Sequence, residues 1–321
     1  MKVRKMGCGA ALLAALTIAG CASPSQPIPE ARTSIRTGQQ HAWMSPDARV
    51  EDLLYVSYQS PNQVNVYSFW RAKLVGTLTG PSNPLGLCVD KAQHVYVTDY
   101  FTGNILKYAH GRNRPIETLT EPYIYPTACS IDPTTGNLAV SDDQNGVFVF
   151  ANAKGTPKLY SYSGFEHYLF IGYDAQGNLF VDGSYANHFA LAELRKGGGR
   201  LGLVTLNQHI GRAGGLQWDG KYLAICDSGT PPNVIYEFSI SGSKGKLAGT
   251  TSLTGSYGID QFWLPKFGSG KINPQSTRVV AADQSAADVA YWKYPVGGNA
   301  TKTISDKAAT PYGVTVSKGR K

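Results

Sequence analysis

Charged side chains are scarce in this sequence. Asp, Glu, Lys and Arg make up 16 % of its 321 residues, whereas an average soluble domain has about 25 %. So small a fraction argues against long amphipathic helices and against a disordered chain. The apolar run Met6–Ile18 is also too short for a transmembrane helix, which needs about 20 apolar residues.

The positive charge is modest as well. The formal net charge is +8, but Lys2, Arg4 and Lys5 precede the first apolar run and are expected to be removed with it. The remaining basic residues cluster only at the C-terminus. This is a weak electrostatic footprint, and we expect no nucleic-acid partner.

Familiar catalytic motifs are missing too. The sequence has no G-x-S-x-G nucleophile elbow, no H-E-x-x-H zinc motif and no phosphate-binding loop. Gly, Tyr and Pro, by contrast, are abundant, with 36, 19 and 18 copies. The sequence alone therefore shows no active site, and its composition predicts many short strands joined by tight turns.

The N-terminus has the layout of an export signal. Residues 1–5 (MKVRK) are basic, and the apolar run after them ends in Ile18-Ala19-Gly20-Cys21. An aliphatic residue, two small residues and a cysteine resemble the lipobox of bacterial lipoproteins. The resemblance implies a signal peptide over residues 1–20 and a lipid anchor on Cys21. An ordinary signal peptide cleaved elsewhere, with Cys21 incidental, is the alternative.

The same resemblance implies an address. Such proteins are extracytoplasmic and anchored to the cell membrane, and Ala22 after the cysteine favours the outer membrane if the cell is Gram-negative. Residues 21–50 are rich in Pro, Ser, Gln and Thr, so we expect a lipidated N-terminus and flexible tether. Residues 51–321 remain for the folded domain.

An internal repeat runs through residues 53–317. Four short motifs recur in the same order, six times each. The first begins after a turn, and its closing aspartates in three successive steps lie about 42 to 45 residues apart. The second is an apolar strand, which starts at Leu54, Val95, Leu138, Leu179, Leu223 and Val279. Four strands in some forty residues is the size of one β-propeller blade.

The two ends of the repeat are offset. The chain enters at the second motif, at Leu53, and leaves on a copy of the first, Pro311–Ser317. The C-terminal strand should therefore complete the first blade as its innermost strand, which removes an open edge. The sequence predicts an all-β fold: a six-bladed β-propeller with four antiparallel strands per blade, closed by a single C-terminal strand.

The repeat resembles that of NHL-type six-bladed propellers. Their unit runs P-x-G-h-x-h-D, G-N-h-Y-V-x-D and N-x-V-x-V-aromatic, where h is apolar. The second copy follows it at Pro84, Gly86, Asp90, Tyr96, Val97, Asp99 and Asn104. The resemblance implies the fold but not one function, because NHL-like propellers include ligand binders, scaffolds, RNA binders, lyases and lactonases.

Three cysteines besides Cys21 remain in the mature chain: Cys88, Cys129 and Cys226. An odd number cannot all pair within one chain. Cys88 and Cys129 lie one position out of step in equivalent strands, so their side chains point to opposite faces. We therefore expect buried free thiols rather than a disulfide.

Aromatic residues concentrate on one predicted face, where the loops before the first strand and after the second strand of each blade lie. We take as a candidate ligand-binding rim Tyr58, Tyr100, Phe101, Tyr123, Tyr125, Phe165, His167, Tyr168, Tyr185, His209, Arg212, Tyr257 and Tyr312. Tyr-rich rims offer rigid contact area to proteins, peptides or sugars. The alternative is that these rings turn inwards and plug the central channel.

Acidic residues also recur on this face. Asp99, Asp142, Asp227 and Asp283 end the second strands, and we expect them to bond the amides of their own loops rather than a cation. Two copies are irregular: the fourth has Asp182-Gly183 in place of a final aspartate, and the sixth has an insertion at 266–276.

Three histidines, His167, His188 and His209, are spaced by half a blade on the same predicted face. Amidoglycolate lyases hold zinc with histidines in a similar propeller, and lactonases of this fold hold calcium. His188 should lie too far from the channel to share an ion with His167 and His209. The inner strand PYGVTVS also lacks the Glu that lactonases use.

The leading hypothesis is a lipid-anchored, extracytoplasmic propeller without a cofactor. It would act as a binding or scaffolding module for an envelope protein, peptide or glycan, and the membrane would be reached through the lipid. The alternative is a metal-dependent hydrolase or lyase of the lactonase or amidoglycolate-lyase type, with Ca or Zn bound through His167 or His209.

Overall fold

A computed structural model describes residues 42–265, 277–305 and 309–319. The predicted signal peptide, Cys21, most of the predicted tether and the insertion at 266–276 lie outside these residues. The described chain is all-β, with two short 3-10 turns at Pro46–Arg49 and Ala151–Ala153. None of its helices has the length and apolar character that crossing a bilayer requires.

The strands follow the repeat closely, and each predicted second-motif strand starts within one residue of the structural one. The strands are β1 Trp43–Met44, β2 Leu53–Tyr58, β3 Gln63–Ser68, β4 Lys73–Thr79, β5 Pro84–Val89, β6 Val95–Asp99, β7 Asn104–Tyr108, β8 Pro115–Thr120, β9 Pro126–Ile131, β10 Leu138–Asp142, β11 Gly146–Phe150, β12 Lys158–Tyr160 and β13 Phe165–Tyr173. They continue with β14 Leu179–Tyr185, β15 His188–Leu194, β16 Gly202–Leu206, β17 Ala213–Trp218, β18 Leu223–Asp227, β19 Val234–Ser241, β20 Lys244–Thr254, β21 Ile259–Trp263, β22 Arg278–Asp283, β23 Asp288–Lys293, β24 Gly298–Asn299, β25 Lys302–Ser305 and β26 Pro311–Ser317.

Consecutive strands pair as antiparallel meanders. Three sheets have four strands each, in the orders β5-β6-β7-β8, β12-β11-β10-β9 and β21-β22-β23-β25. A five-stranded sheet has the order β1-β4-β3-β2-β26, so the C-terminal strand pairs with the first long strand of the chain. This is the pairing that the offset between the two ends of the repeat predicts.

The remaining sheet differs from the prediction of separate four-stranded blades. It has nine strands: the meanders β13–β16 and β17–β20 are joined where β16 runs parallel to β20, and β24 adds a ninth strand beside β20. The junction is short, with Thr205 opposite Lys244 and Leu206 opposite Gly245. Strand β20 is long enough to make it and also pairs with β24.

The first strands of successive meanders lie side by side. Strand β5 contacts β9, β9 contacts β13, β13 contacts β17 and β17 contacts β21, while β26 contacts both β21 and β5. These six strands, which we call the inner strands, close a ring. The alternating side chains of each meander then pack against the meander on either side.

Strand β2 shows this double burial. Leu54 and Val56 lie in one core cluster with Val280 of β22, whereas Tyr55 on the opposite face lies in another cluster with Val97 of β6. All of β2 is buried, so its sequence is a continuous apolar run instead of an alternating one.

The ordered ring begins before residue 51. Trp43 pairs with Thr77 and Met44 with Gly76 of β4, and Ala48 is fully buried. The sequence places these residues in the tether because too few of them alternate to predict a strand.

Cys88 and Cys129 form a disulfide, with their Cα atoms 5.6 Å apart, which corrects the expectation of free thiols. Their side chains do point to opposite faces of equivalent strands, as the parity argument predicts. Neighbouring meanders stack face to face, however, so the forward face of β5 meets the rear face of β9. Cys226 is free and buried, as predicted.

Hydroxyl groups near the ends of the second strands tie neighbouring inner strands together. Ser57 donates a hydrogen bond to the carbonyl of Leu85, Thr98 to that of Thr127 at 3.3 Å, and Ser141 to that of Leu169 at 2.7 Å. Each bond satisfies a buried carbonyl that has no ladder partner on that side.

The side chain of Gln261 in β21 links β5 and β26, the first and last inner strands along the chain. Its Oε1 accepts hydrogen bonds from the amides of Leu87 and Val314, at 3.1 and 3.2 Å, and its Nε2 donates to the carbonyl of Leu87 at 3.0 Å. The side chain can cross β26 because residue 313 is glycine: a Cβ there would lie 2.2 Å from the carbonyl oxygen of Leu85 and 2.8 Å from Gln261 Oε1.

Candidate functional site

The two predicted sets of loops meet on one face. In five meanders, the backbone amide of the residue after the second strand donates a hydrogen bond to a backbone carbonyl in the loop before an inner strand. The pairs are Tyr100 to Asn83, Asp143 to Tyr125, Ser228 to Arg212, Gln284 to Gly258 and Gln59 to Thr310, at 3.0 to 3.1 Å. We call this side of the ring the loop face. Its construction agrees with the placement inferred from the repeat.

The recurring aspartates stabilise these loops, as predicted. Asp99 accepts hydrogen bonds from the amides of Ser82 and Asn83, and Asp227 accepts them from Gly211 and Arg212. Asp142 and Asp283 also accept amide hydrogen bonds, from Gln144, Asn145, Tyr257, Gly258 and Ala286. A side chain committed to loop amides has little capacity left for a cation.

Four of the predicted rim residues lie in neighbouring loops beside β5 and β9; two are exposed, Tyr100 and Tyr125 are half-buried, and the Tyr123 ring packs on Phe148. We call Tyr100, Phe101, Tyr123 and Tyr125 the aromatic patch. The Tyr100 ring lies 5.4 Å from Phe101 and 4.9 Å from Tyr125, while Phe101 is 59 % and Tyr123 48 % exposed. Grouped exposed rings of this kind mark interaction surfaces more often than scattered ones do.

Asp143 holds the patch to the centre of the loop face. Its Oδ2 accepts a hydrogen bond from the Tyr100 hydroxyl at 3.3 Å, and its Oδ1 lies 2.8 Å from His167 Nδ1. Burial, with the Asp143 carboxylate next, raises the pKa of Tyr100 to about 12. Tyr100 therefore stays a neutral hydroxyl donor at physiological pH.

Tyr312 occupies the mouth of the central channel. Its ring stacks on Phe170 with centroids 6.0 Å apart, although β26 and β13 lie on opposite sides of the ring of inner strands. The two rings thus meet across the axis. This is the inward position that the alternative to a binding rim describes.

Three carboxyl groups act on Tyr312 through their charge, those of Asp143, Asp182 and Asp260. Burial, then Asp260, Asp143 and Asp182, raises the pKa of the Tyr312 phenol well above its ordinary value. The Tyr312 phenol therefore stays neutral at physiological pH.

Asp260 pairs with a cation at the rim. Arg212 Nη2 lies 3.3 Å from Asp260 Oδ1, and the arginine side chain is 54 % exposed while the carboxyl is buried. Burial raises the pKa of Asp260 to about 7, against the lowering effect of Arg212. The predicted rim residue Arg212 thus faces solvent with a buried counterion behind it.

Two more buried carboxyls have raised pKa values. Asp182 Oδ1 accepts a hydrogen bond from the Phe170 amide at 2.9 Å, and burial raises its pKa well above the ordinary value. Burial and the neighbouring Asp142 raise the pKa of Glu121 to about 10. With a pKa of about 10, Glu121 is protonated at neutral pH.

These raised pKa values make stability depend on pH. A carboxyl with a higher pKa in the folded than in the unfolded state contributes stability that is complete below the unfolded pKa and is lost as pH rises through the folded pKa. We expect the free energy of unfolding to fall between pH 5 and pH 8, by up to about 1.4 kcal/mol per pH unit for each such carboxyl.

The variant Asp182→Asn keeps the acceptor for Phe170 and should flatten this pH dependence of the free energy of unfolding, as measured by urea titrations at several pH values. Asp47→Asn, at an exposed carboxyl, should keep the wild-type slope, and equal slopes in all three proteins would contradict the assignment.

Other predicted rim residues are not brought to the surface. Tyr58, Phe165 and Tyr168 are buried, at 2 %, 7 % and 2 % exposed. Tyr58 bonds the Tyr67 hydroxyl at 3.1 Å, and Phe165 packs on Tyr168 at 4.6 Å. These three are core residues, because the first and last residues of the adjoining strands turn into the space between meanders.

The remaining predicted residues are exposed but separate from the aromatic patch. Tyr257 is 58 % and Tyr185 38 % exposed, and His209 is also exposed. Tyr185 lies 6.1 Å from Tyr162. The rim is therefore not one continuous aromatic surface.

The predicted histidines are not assembled as metal ligands. Within the ranges that the structure describes, no three His, Cys, Asp or Glu side chains form a group that could hold a metal ion. His167 is engaged with Asp143.

The sequence missed Asp260 and the role of Asp182. Both stand at strand positions where the other copies have apolar, small or hydroxyl residues, for example Leu85 in place of Asp260 and Thr98 in place of Asp182. A charged residue in a buried strand was the available signal.

Comparison with known proteins informs the fold. No protein-family model and no curated protein sequence matches the chain. A chain in the crystal structure of a nidogen/laminin complex is similar, with a TM-score of 0.67 and 15 % identity over 84 % of this chain and 100 % of that one. Hydrazine synthase of Kuenenia stuttgartiensis is similar with a TM-score of 0.54 and 15 % identity, over 79 % of this chain and 76 % of that one. At such identities the likeness concerns the fold alone, and with the ring of inner strands it shows that the chain folds as a β-propeller.

Proposed function

We propose that this protein is an exported, lipid-anchored, six-bladed propeller that binds a protein or peptide of the cell envelope through the aromatic patch. The exposure of Phe101 and Tyr123 carries the proposal. Each ring touches one neighbouring ring, Phe148 for Tyr123 and Tyr100 for Phe101, and leaves about half of its surface in water. Aromatic side chains are among those that most often dominate protein interfaces.

The count of six blades follows from dividing the nine-stranded sheet at its parallel junction. The two parts are the four-stranded meanders β13–β16 and β17–β20, each with its own inner strand, and the short strand β24 stays paired with β20. The NHL-like repeat has the same number of copies.

The disulfide supports the exported location. Structural disulfides persist in oxidising compartments and are rare in the cytosol of most organisms. The bond between Cys88 and Cys129 thus agrees with an export signal ahead of Cys21.

The similar chain from the nidogen/laminin structure belongs to a protein complex by its title. This likeness is compatible with a binding role for a propeller that offers one loop face. His167 places a polar group beside the patch, because Asp143 bonds both His167 and the Tyr100 hydroxyl, and polar groups usually border an interface.

The test compares the full chain with a Phe101→Ser/Tyr123→Ser variant, each solubilised from the envelope after crosslinking. Losing two aromatic anchors should reduce recovery of the crosslinked partner at least about ten-fold, since such anchors contribute about 2 kcal/mol or more each. An Ile116→Ser/Val296→Ser variant removes two side chains of similar exposure, 56 % and 62 %, and should recover the partner normally. Equal recovery by all three proteins would refute the patch.

A further inference from the structure

A cavity of about 300 Å³ opens between the meanders β13–β16 and β17–β20, and its lining includes Phe180, Glu193, Arg195 and Trp218. It also touches the hairpin between β13 and β14. That hairpin lies at the end of the strands away from the loop face, because successive antiparallel connections alternate between the two ends. The cavity is therefore independent of the aromatic patch.

One wall of the cavity is apolar. It is built from Phe180, which is buried, and from Ile240 and Trp218, which are partly buried. The opposite side carries an ion pair in which Arg195 Nε lies 3.3 Å from Glu193 Oε2, with the arginine 62 % and the glutamate 9 % exposed. An apolar wall with a few convergent polar groups is the usual composition of a small-molecule site.

The indole N–H of Trp218 points to a missing acceptor. Its Nε1 is buried and has no hydrogen-bond partner among the described residues. An unpaired buried donor costs about 1 to 3 kcal/mol, and buried indoles usually find a partner. A ligand oxygen in the cavity would satisfy it.

The charged groups that line the cavity favour a ligand without net charge. The ion pair is neutral as a unit, and Asp174 is committed to the amides of Gln176 and Asn178, at 2.9 and 2.8 Å. The groups left to a ligand include donors on Trp218 and Arg195, an acceptor on Glu193 and the side-chain amide of Gln176, which can both donate and accept. A ligand that fits has several hydroxyls, each able to donate and accept, and an apolar face to lie on the indole.

We propose that this cavity binds a neutral hexose residue of a glycan. A pyranose ring has hydroxyls around its edge and C–H groups on its faces, so it matches both the polar pair and the Trp218 wall. The volume lies at the lower end of the range of about 300 to 1,000 Å³ for ligand pockets, which suits one or two sugar rings. Trp218 stands where other copies of the repeat have Val89 and Ile131, so this cavity is not a general feature of the blades.

The experiment titrates the full-length protein with the methyl glycosides of glucose, galactose, mannose and N-acetylglucosamine, and with glucuronate as an anionic probe. Binding is followed by tryptophan fluorescence and by saturation-transfer NMR. At least one neutral glycoside should bind, with a dissociation constant of about 1 mM. The fluorescence change should disappear in Trp218→Phe but persist in Trp70→Phe. The Trp70 side chain is 63 % exposed and lies in the turn between β3 and β4.

Arg195→Ala should weaken binding about ten-fold or more, because hydrogen bonds to charged groups are the stronger ones. Arg71→Ala is the matched control: Arg71 is about as exposed as Arg195, at 61 %, and also pairs with a glutamate, Glu51. It lies in the turn between β3 and β4, away from the cavity. Both substitutions are at exposed side chains and should leave the melting temperature unchanged. No response to any neutral glycoside, equal weakening by both arginine variants, or tighter binding of glucuronate than of the glucoside would overturn the proposal.

Discussion

Replacing Cys88 and Cys129 together by serine will lower the free energy of unfolding by about 4 kcal/mol. The two residues are 41 positions apart in sequence, and a crosslink of that span removes chain entropy worth between the roughly 3 kcal/mol of a 15-residue loop and the roughly 4.7 kcal/mol of a 100-residue loop. Reversible urea unfolding of oxidised wild type and of the double variant measures the difference directly.

The control for this prediction is Cys226→Ser. Cys226 is free, so a reducing agent should lower the stability of wild type and of Cys226→Ser by the same amount while leaving the double variant unaffected. The same urea midpoint for oxidised wild type and the double variant would contradict the prediction. It would mean that the disulfide between β5 and β9 adds no stability.

Replacing Cys21 by alanine will move the protein from the membrane fraction to the soluble extracytoplasmic fraction. Each buried methylene of an acyl chain contributes about 0.8 kcal/mol to membrane binding, and stable anchoring takes two signals, which the acyl chains on a lipoprotein cysteine supply. Because no other anchor is proposed, the loss of membrane attachment should be nearly complete. Fractionation and metabolic labelling with an alkyne fatty acid measure it.

Here too Cys226→Ser is the matched control, and it should keep both the label and the membrane location. Mass spectrometry of the mature N-terminus separates the two readings of the export signal. Acylated Cys21 as the first residue supports the lipoprotein assignment, whereas unchanged labelling of Cys21→Ala, or an N-terminus elsewhere without lipid, contradicts it.

Much of the fold could be predicted because the repeat places turns and strands at regular intervals. The strand predicted to start at Leu138 does so, and the pairing of Pro311–Ser317 with Leu53–Tyr58 follows from the offset of the motifs. The capping role of Asp99 and Asp227 was also predictable, since an aspartate before a tight loop bonds nearby amides.

Contacts between meanders could not be predicted in the same way. The parity of Cys88 and Cys129 was correct, but only stacking brings their two faces together. The parallel junction at Thr205 depends on the length and course of β20. The burial of Tyr58 and Tyr168 likewise depends on what lies across from them.

For the candidate site too, the sequence predicted which face the residues lie on, but not which of them contact each other. The sequence placed Tyr100, Tyr125 and His167 on one face, but only the structure joins Tyr100 and His167 through Asp143. It also shows that Tyr312 lies on the axis against Phe170, whereas Phe101 stays in solvent.

By itself, the sequence determined the strand order and the closure by the C-terminal strand, because both rest on local pattern and spacing along the chain; it also predicts an export signal. Only the tertiary structure decided which thiols pair, which aromatic rings remain in water and where a cavity opens. Those outcomes depend on distances between residues far apart in sequence, which are set when the meanders stack around a common axis.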